Sequence, residues 1–158
     1  MVTDVNQYLG NPNLKKANVP VEFTKEQIQE YQKCMDNPIY FIQEYMKIVS
    51  LDEGLVPFKM YDFQKHMVQT FHDNRFTICK LPRQSGKSTT IIAYLLHYVL
   101  FNPNVNIAIL ANKSSTARDI LGRLQLGYEN LPKWLQQGVI SWNKGSLDLE
   151  NGSSILAA

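Results

Sequence analysis

Apolar and polar positions alternate along this chain with two different periods, and where the period changes the elements can be marked off. Thr24-Lys25-Glu26-Gln27 has the form of a capping box, so a helix is expected from there to about Met35. Asn37-Pro38 restarts a second helix, with Asn as cap and Pro in the first turn; Phe41, Ile42, Tyr45, Met46 and Val49 fall at helical spacing and form its core face. Residues 50–60 read as a loop leading to a third helix, Asp62 to about Asp73. Arg75-Phe76-Thr77-Ile78 is short and β-prone, and Ile91 to Phe101 is apolar nearly all round, as a buried helix is. Val105 to Ala111 reads as a parallel strand and Ser114/Ser115 as the cap of a helix running to about Asn130. Leu131-Pro132-Lys133-Trp134-Leu135 suggests a short helical turn. Asn151-Gly152 between Ser146–Glu150 and Ser153–Leu156 is a strong hairpin signal. Strand, helix, strand, helix is the doubly wound α/β signature. Residues 1–22 show no periodicity and read as an extended arm lying on a core built elsewhere.

Composition narrows the class. The chain has 158 residues, enough for one sizeable core, and 44% hydrophobic against 19% charged residues marks it as globular rather than disordered. A net charge of +2 with no run of Lys or Arg does not by itself argue for nucleic acid. The two cysteines, Cys34 and Cys79, lack metal-site spacing, and Cys79 is expected as a small apolar residue in a strand. No apolar run reaches the roughly 18 residues of a membrane span, and the polar, acidic opening is unlike a signal peptide; a reducing compartment is expected.

The chemistry gathers at Leu81-Pro82-Arg83-Gln84-Ser85-Gly86-Lys87-Ser88-Thr89, between the expected strand and the buried helix. That context suits a Walker A phosphate loop: a helix N-terminus offers free N–H groups and a positive dipole end to phosphate oxygens. Gly86 lets the backbone approach closely, Lys87 reaches the β/γ phosphates, and the Ser88 hydroxyl ligates Mg²⁺. The usual first glycine is replaced by Leu81, and the bland reading is that Gly86 only turns the chain before a core helix. Gln64, one helix upstream, carries an amide able to pair with adenine, and Phe63 beside it could stack on the base. Arg83 suits either a cis arginine finger or a solvated loop residue. Asp148 and Glu150 share one strand face beside the hairpin turn, where a solvated face is the expected role. His66, His72 and His97 lack ligand spacing.

In this order, Phe63-Gln64, the deviant loop Pro82 to Ser88, Ile107 to Lys113, Leu131-Pro132 and Trp142-Asn143-Lys144-Gly145-Ser146…Asn151-Gly152-Ser153-Ser154-Ile155 resemble the ATPase domain of the large terminase subunit of tailed phages, most closely the T-even-like group. Leu9 to Asn18, Cys34 and Tyr40-Phe41 also fall where related words occur. The resemblance implies an ATP-driven motor that pumps double-stranded DNA into a procapsid. It implies ATP and Mg²⁺ as cofactors and a P-loop NTPase-type parallel sheet with flanking helices. By the same resemblance, residues 1–60 form an arm and helices packing on the ATPase core, and residues 61–158 form the first part of that core.

The family gives the loop Arg, here Arg83, a catalytic role beside Lys87. The cofactor set is Phe63, Gln64, Arg83, Gln84, Ser85, Gly86, Lys87, Ser88 and Thr89, with Ser88 on the metal. Related proteins commonly carry Arg where this chain has Tyr61. Portal protein, the small terminase subunit and a homo-oligomeric ring on the procapsid are the implied partners, with no membrane. The implied place is the cytoplasm of the infected bacterial host, outside the mature virion. The second acidic motif and the nuclease domain of the family are not in this sequence, which is therefore expected to be an N-terminal fragment, inactive as an ATPase by itself and binding nucleotide weakly if at all, with turnover expected of the complete protein. The competing readings are a superfamily 2 helicase or restriction-type translocase, and a non-catalytic nucleotide-binding assembly module.

Overall fold

The computed structural model describes residues 6–50 and 52–158. The expected helices form. Helix α1, Lys25–Asp36, starts at Thr24, whose hydroxyl accepts from the Gln27 N–H while the Gln27 side chain accepts from the Thr24 N–H. Helix α2, Pro38–Tyr45, is capped by Asn37, whose side chain accepts from the Tyr40 N–H at 3.0 Å. Helices α3 (Asp62–Asp73), α4 (Lys87–Phe101) and α5 (Ser114–Glu129) follow, then a 3₁₀ turn at Lys133–Leu135.

Between them lie short strands: β1 (Gln7–Tyr8), β2 (Asn11–Lys15), β3 (Lys47–Ser50), β4 (Gly54–Pro57), β5 (Asn106–Ile109), β6 (Val139–Trp142), β7 (Ser146–Leu149) and β8 (Ser154–Ala157). The main sheet has the order β5-β8-β7-β6. Asn151-Gly152 makes the expected hairpin, with Gly152 at φ +80° in the left-handed conformation such a turn demands.

The fold is mixed α/β, but it departs from a parallel doubly wound sheet. Only β5 and β8 run parallel among the described strands; β8, β7 and β6 are antiparallel. The reason is connection length: tight turns join β6 to β7 and β7 to β8, and a turn of a few residues can only reverse a strand. The strand expected at Arg75–Ile78 does not form. Phe76 and Ile78 are 84% and 97% exposed, and no described strand lies beside them to supply a ladder. Cys79 is accordingly only half-buried.

Two further expectations change. The second helix ends at Tyr45, so Val49 leaves the core face and stands 63% exposed on β3, which pairs with β4 where a loop was expected. Leu51, in that expected loop, and residues 1–5 of the expected arm lie outside the described residues. Glu150 is not solvated. Its carboxylate takes Lys15 Nζ at 3.1 Å and the N–H groups of Asn18 and Gly138 at 2.8 and 2.6 Å. The arm is thereby fastened to the sheet. Gln136 fastens it again, accepting from the Lys15 N–H and donating to the Asn13 carbonyl, while Leu14 enters the core.

One hydrophobic cluster joins all of this: Leu14 from the arm, Phe41 from α2, Leu96 from α4, Leu121 from α5, and Leu147 and Ile155 from the sheet. Helix α4 runs through its centre, burying Ile92, Ala93, Leu96, Val99 and Leu100. Its far end is tied to the hairpin: Asn151 Nδ2 donates to the Val99 carbonyl, Gln137 Nε2 to Leu100 and Ser153 Oγ to Asn102. These donors satisfy carbonyls that a helix end leaves without partners.

Candidate functional site

The loop 81–86 reaches α4 through Gly86, the helix cap, at φ +73° and ψ 12°. A left-handed cap turns the chain sharply into the helix, and glycine does so without a Cβ penalty. Thr90 fixes the junction, since its N–H and its Oγ1 both donate to the Gly86 carbonyl at 3.0 Å. The N–H groups of the first helical turn, at Lys87, Ser88 and Thr89, are of the kind that helix geometry leaves unpaired. Gln84 is also left-handed, at φ +61°, which for a residue with a side chain costs on the order of 1 kcal/mol.

The ammonium of Lys87 folds back over this loop, 3.1 Å from the Pro82 carbonyl and 3.5 Å from that of Leu81. Ser85 Oγ is buried and has no hydrogen-bond partner among the described residues. Arg83 and Ser88 are exposed, and Thr89 is half-buried. The loop thus gathers a cation, unpaired helix N–H groups and an orphaned hydroxyl around one glycine. That set suits an anion with several oxygens.

Beside the loop opens a cavity of about 830 Å³. Gln84, Ser85, Gly86 and Thr89 line one side and Phe63 and Gln64 another, so the structure brings the two halves of the expected site together. Gln64 is 3% exposed and firmly held. Its Oε1 accepts from the Tyr61 N–H at 2.9 Å, and its Nε2 lies 3.5 Å from the Ser85 carbonyl. One lone pair of Oε1 and one hydrogen of Nε2 remain beyond these two contacts, the pair a base edge would use. Phe63 is 42% exposed and stacks on Tyr61, ring centroids 5.9 Å apart and planes 9° from parallel.

The remaining wall went unread in the sequence. Ile48, Val56 and Pro57 of the β3–β4 hairpin, with Phe58 and Lys59, close the cavity opposite the loop. Its period-two run was absorbed into the helical spacing that ends at Val49; only Gly54, left-handed at φ +74°, signals the turn. Tyr61 lines the same cavity.

The donor set also fits a hard cation brought in with a phosphate. Ser88 at the second helical position supplies a hydroxyl, and such ions commonly complete their shell with phosphate oxygens and water. Among the described residues no cluster of three His, Cys, Asp or Glu could hold a metal alone.

Residues 78–158, just over half of the chain, match the family model described as terminase large subunit, T4-like-virus type, N-terminal. The match covers the loop, α4, α5 and the main sheet, and begins after α3 with Phe63 and Gln64.

Proposed function

We propose, from the premise that the chain belongs to the T4-like-virus type of terminase large subunit, N-terminal family, that its loop and the start of α4 hold the phosphates of ATP. Family membership carries a role in phage DNA packaging. The finer reading is that this site supplies the energy: ATP hydrolysis here is coupled to translocation of double-stranded DNA into a procapsid. Residues 1–60 buttress the first part of the ATPase core, residues 61–158. The chain acts as part of a homo-oligomeric ring, with portal protein and the small subunit as partners, in the cytoplasm of the infected host.

The observation that carries this reading is the junction at Gly86, where the free N–H groups of α4, the Lys87 ammonium and the orphaned Ser85 hydroxyl converge beside a cavity. Lys87 leaves the Pro82 carbonyl for the β/γ oxygens, exchanging a neutral acceptor for a charged one, which is the stronger bond. The amides of Lys87, Ser88 and Thr89 orient the phosphate chain, and Ser85 gives its hydroxyl to the same oxygens. Arg83, exposed on the loop, swings over the γ-phosphate and stabilises charge as it develops. Ser88 would hold Mg²⁺, which when bound neutralises the β and γ oxygens.

Lys87→Ala tests the assignment. ATP affinity should fall at least about tenfold and any turnover about 10²-fold, as for the loss of one electrostatic stabiliser. Affinity and turnover both within threefold of the parent would end the phosphate-loop reading.

A further inference from the structure

We infer that Asn151 is a latent modification site: its side-chain amide deamidates through the Gly152 nitrogen whenever the β7–β8 turn opens, and the carboxylate so formed releases the far end of α4.

Asn151-Gly152 is the one Asn-Gly pair in the sequence. Glycine in second place carries no side chain to obstruct the approach of its own nitrogen. The Gly152 nitrogen gives up its proton and bonds to Asn151 Cγ, the Cγ–Nδ2 bond breaks, and ammonia leaves. Water then opens the cyclic imide at either carbonyl, giving aspartate or isoaspartate at position 151. Water is the sole co-reactant, and Gly152 is exposed to it.

The closed turn withholds this step. The Gly152 N–H donates to the Leu149 carbonyl at 3.1 Å, so the nucleophile is engaged. The Asn151 amide is held at both of its polar atoms: Nδ2 donates to the Val99 carbonyl at 2.9 Å, and Oδ1 accepts from the Ser153 N–H at 3.0 Å. Turning the amide to bring Cγ onto the Gly152 nitrogen breaks both bonds. The backbone is clamped as well, with the Leu149 N–H on the Ser153 carbonyl and the Asn104 N–H on the Asn151 carbonyl. A turn can nevertheless open locally, below the cost of global unfolding. The rate of modification is then the rate in the open chain multiplied by the open fraction.

The product does not fit the place the amide leaves. Val99 lies in the last turn of α4, and the residue four on, which would donate to its carbonyl in a longer helix, is Pro103, with no N–H to give. Asn151 Nδ2 supplies that donor, whereas a carboxylate brings only acceptors. The carbonyls at a helix C-terminus also form the negative end of its dipole and repel the new charge. Isoaspartate adds a carbon to the main chain besides, which upsets the β7–β8 register. A turn that opens and reacts is therefore opposed in closing again, and α4 loses its tie at Val99.

The experiment incubates the 158-residue chain in mildly alkaline buffer, folded and in urea, and follows aspartate and isoaspartate at 151 by peptide mass spectrometry. Modification should run at least about tenfold faster in urea. The ratio of the two rates should match, within about threefold, the open fraction read from hydrogen exchange of the Gly152 N–H. Ser153→Ala removes the hydroxyl that donates to the Asn102 carbonyl at 2.7 Å. It should raise the folded-state rate and the Gly152 exchange together and leave the rate in urea where it was. Asn151→Asp, set against Asn151→Ala in urea denaturation, should be the less stable at neutral pH. That difference should shrink in acid, where the protonated carboxyl regains a donor for Val99. Equal rates in the folded chain and in urea overturn the inference, and so does a rate that moves without the Gly152 exchange. Asn151→Asp as stable as Asn151→Ala overturns the release of α4.

Discussion

Gln64 and Gly86 touch: a β-carbon on Gly86 would stand 2.6 Å from Gln64 Nε2. The glycine is therefore required twice over, once for its left-handed backbone and once for the space its missing side chain leaves to α3. The backbone need stands whatever the neighbours do, and the second would have to be met by swinging the Gln64 amide away from the Tyr61 N–H that its Oε1 accepts from at 2.9 Å.

Gly86→Ala should accordingly destabilise the chain by about 1–3 kcal/mol, from strain and a displaced amide together. Urea denaturation gives the number. Gly122 is the control: it lies inside α5, with open space where a β-carbon would project and no positive φ, so Gly122→Ala should be stabilising by about 0.5–1 kcal/mol. Similar effects from the two substitutions would show that the Gln64–Gly86 approach carries no energy.

Arg83→Ala separates a transition-state role from a binding role. A finger should lower kcat strongly while ATP affinity stays within a few-fold. A variant whose sole defect is weaker ATP binding would make Arg83 a ground-state contact.

Acid should loosen the fold in two steps. Burial holds His97 at about 4 against an ordinary 6.5, with its bond to the Cys34 carbonyl pulling the other way. The folded chain keeps His97 neutral while the unfolded chain takes a proton, so stability falls as pH drops from 6.5 towards 4 and that loss then levels off. The loss is on the order of 3 kcal/mol. Burial raises Glu150, but the N–H groups of Asn18 and Gly138 and the Lys15 ammonium outweigh it and hold the carboxyl below the usual 4.5. Its contribution is present above that value and disappears as pH falls through the lower folded one. In denaturation curves at successive pH values, His97→Phe should flatten the dependence between pH 6.5 and 4.5 and leave the lower step. An unchanged slope would show that His97 does not set the first step.

Glu150→Gln removes the charge that fastens the arm. Trypsin should then cut at Lys15 and Lys16 markedly faster than in the parent, while α4 stays protected. Equal rates at both sites would mean that Gln136 and the packing of Leu14 hold the arm alone.

Two helix starts and the hairpin turn were legible because each is written in local chemistry: Thr24 with Gln27, Asn37 with Pro38, Asn151 with Gly152; the cap expected at Ser114/Ser115 is instead Lys113, with no side-chain bond, and both serines lie inside α5. The loop residues and Gln64 were picked out by type and spacing, and the structure sets Gln64 beside Gly86. Partnership was not. Nothing in Arg75–Ile78 tells whether a neighbouring strand exists to pair with it, and nothing in Asp148–Glu150 tells that a lysine and two backbone N–H groups from distant segments converge on one carboxylate and not the other. Val49 misled for a related reason, since an apolar residue in step with a helix is equally in step with the short strand that follows it.

Helix α4 begins at the phosphate loop and ends where Asn151, Gln137 and Ser153 grip its last carbonyls. Its 15 residues make a rod of about 22 Å, stiff along its axis because each turn is braced by the next. The helix therefore joins the loop to the Asn151 turn in one run of backbone, and Gly138, next to the Gln137 that grips the rod, is also a donor to the Glu150 carboxylate that clasps the arm. Loop, helix, turn and arm are thus joined in one continuous line of bonded contacts.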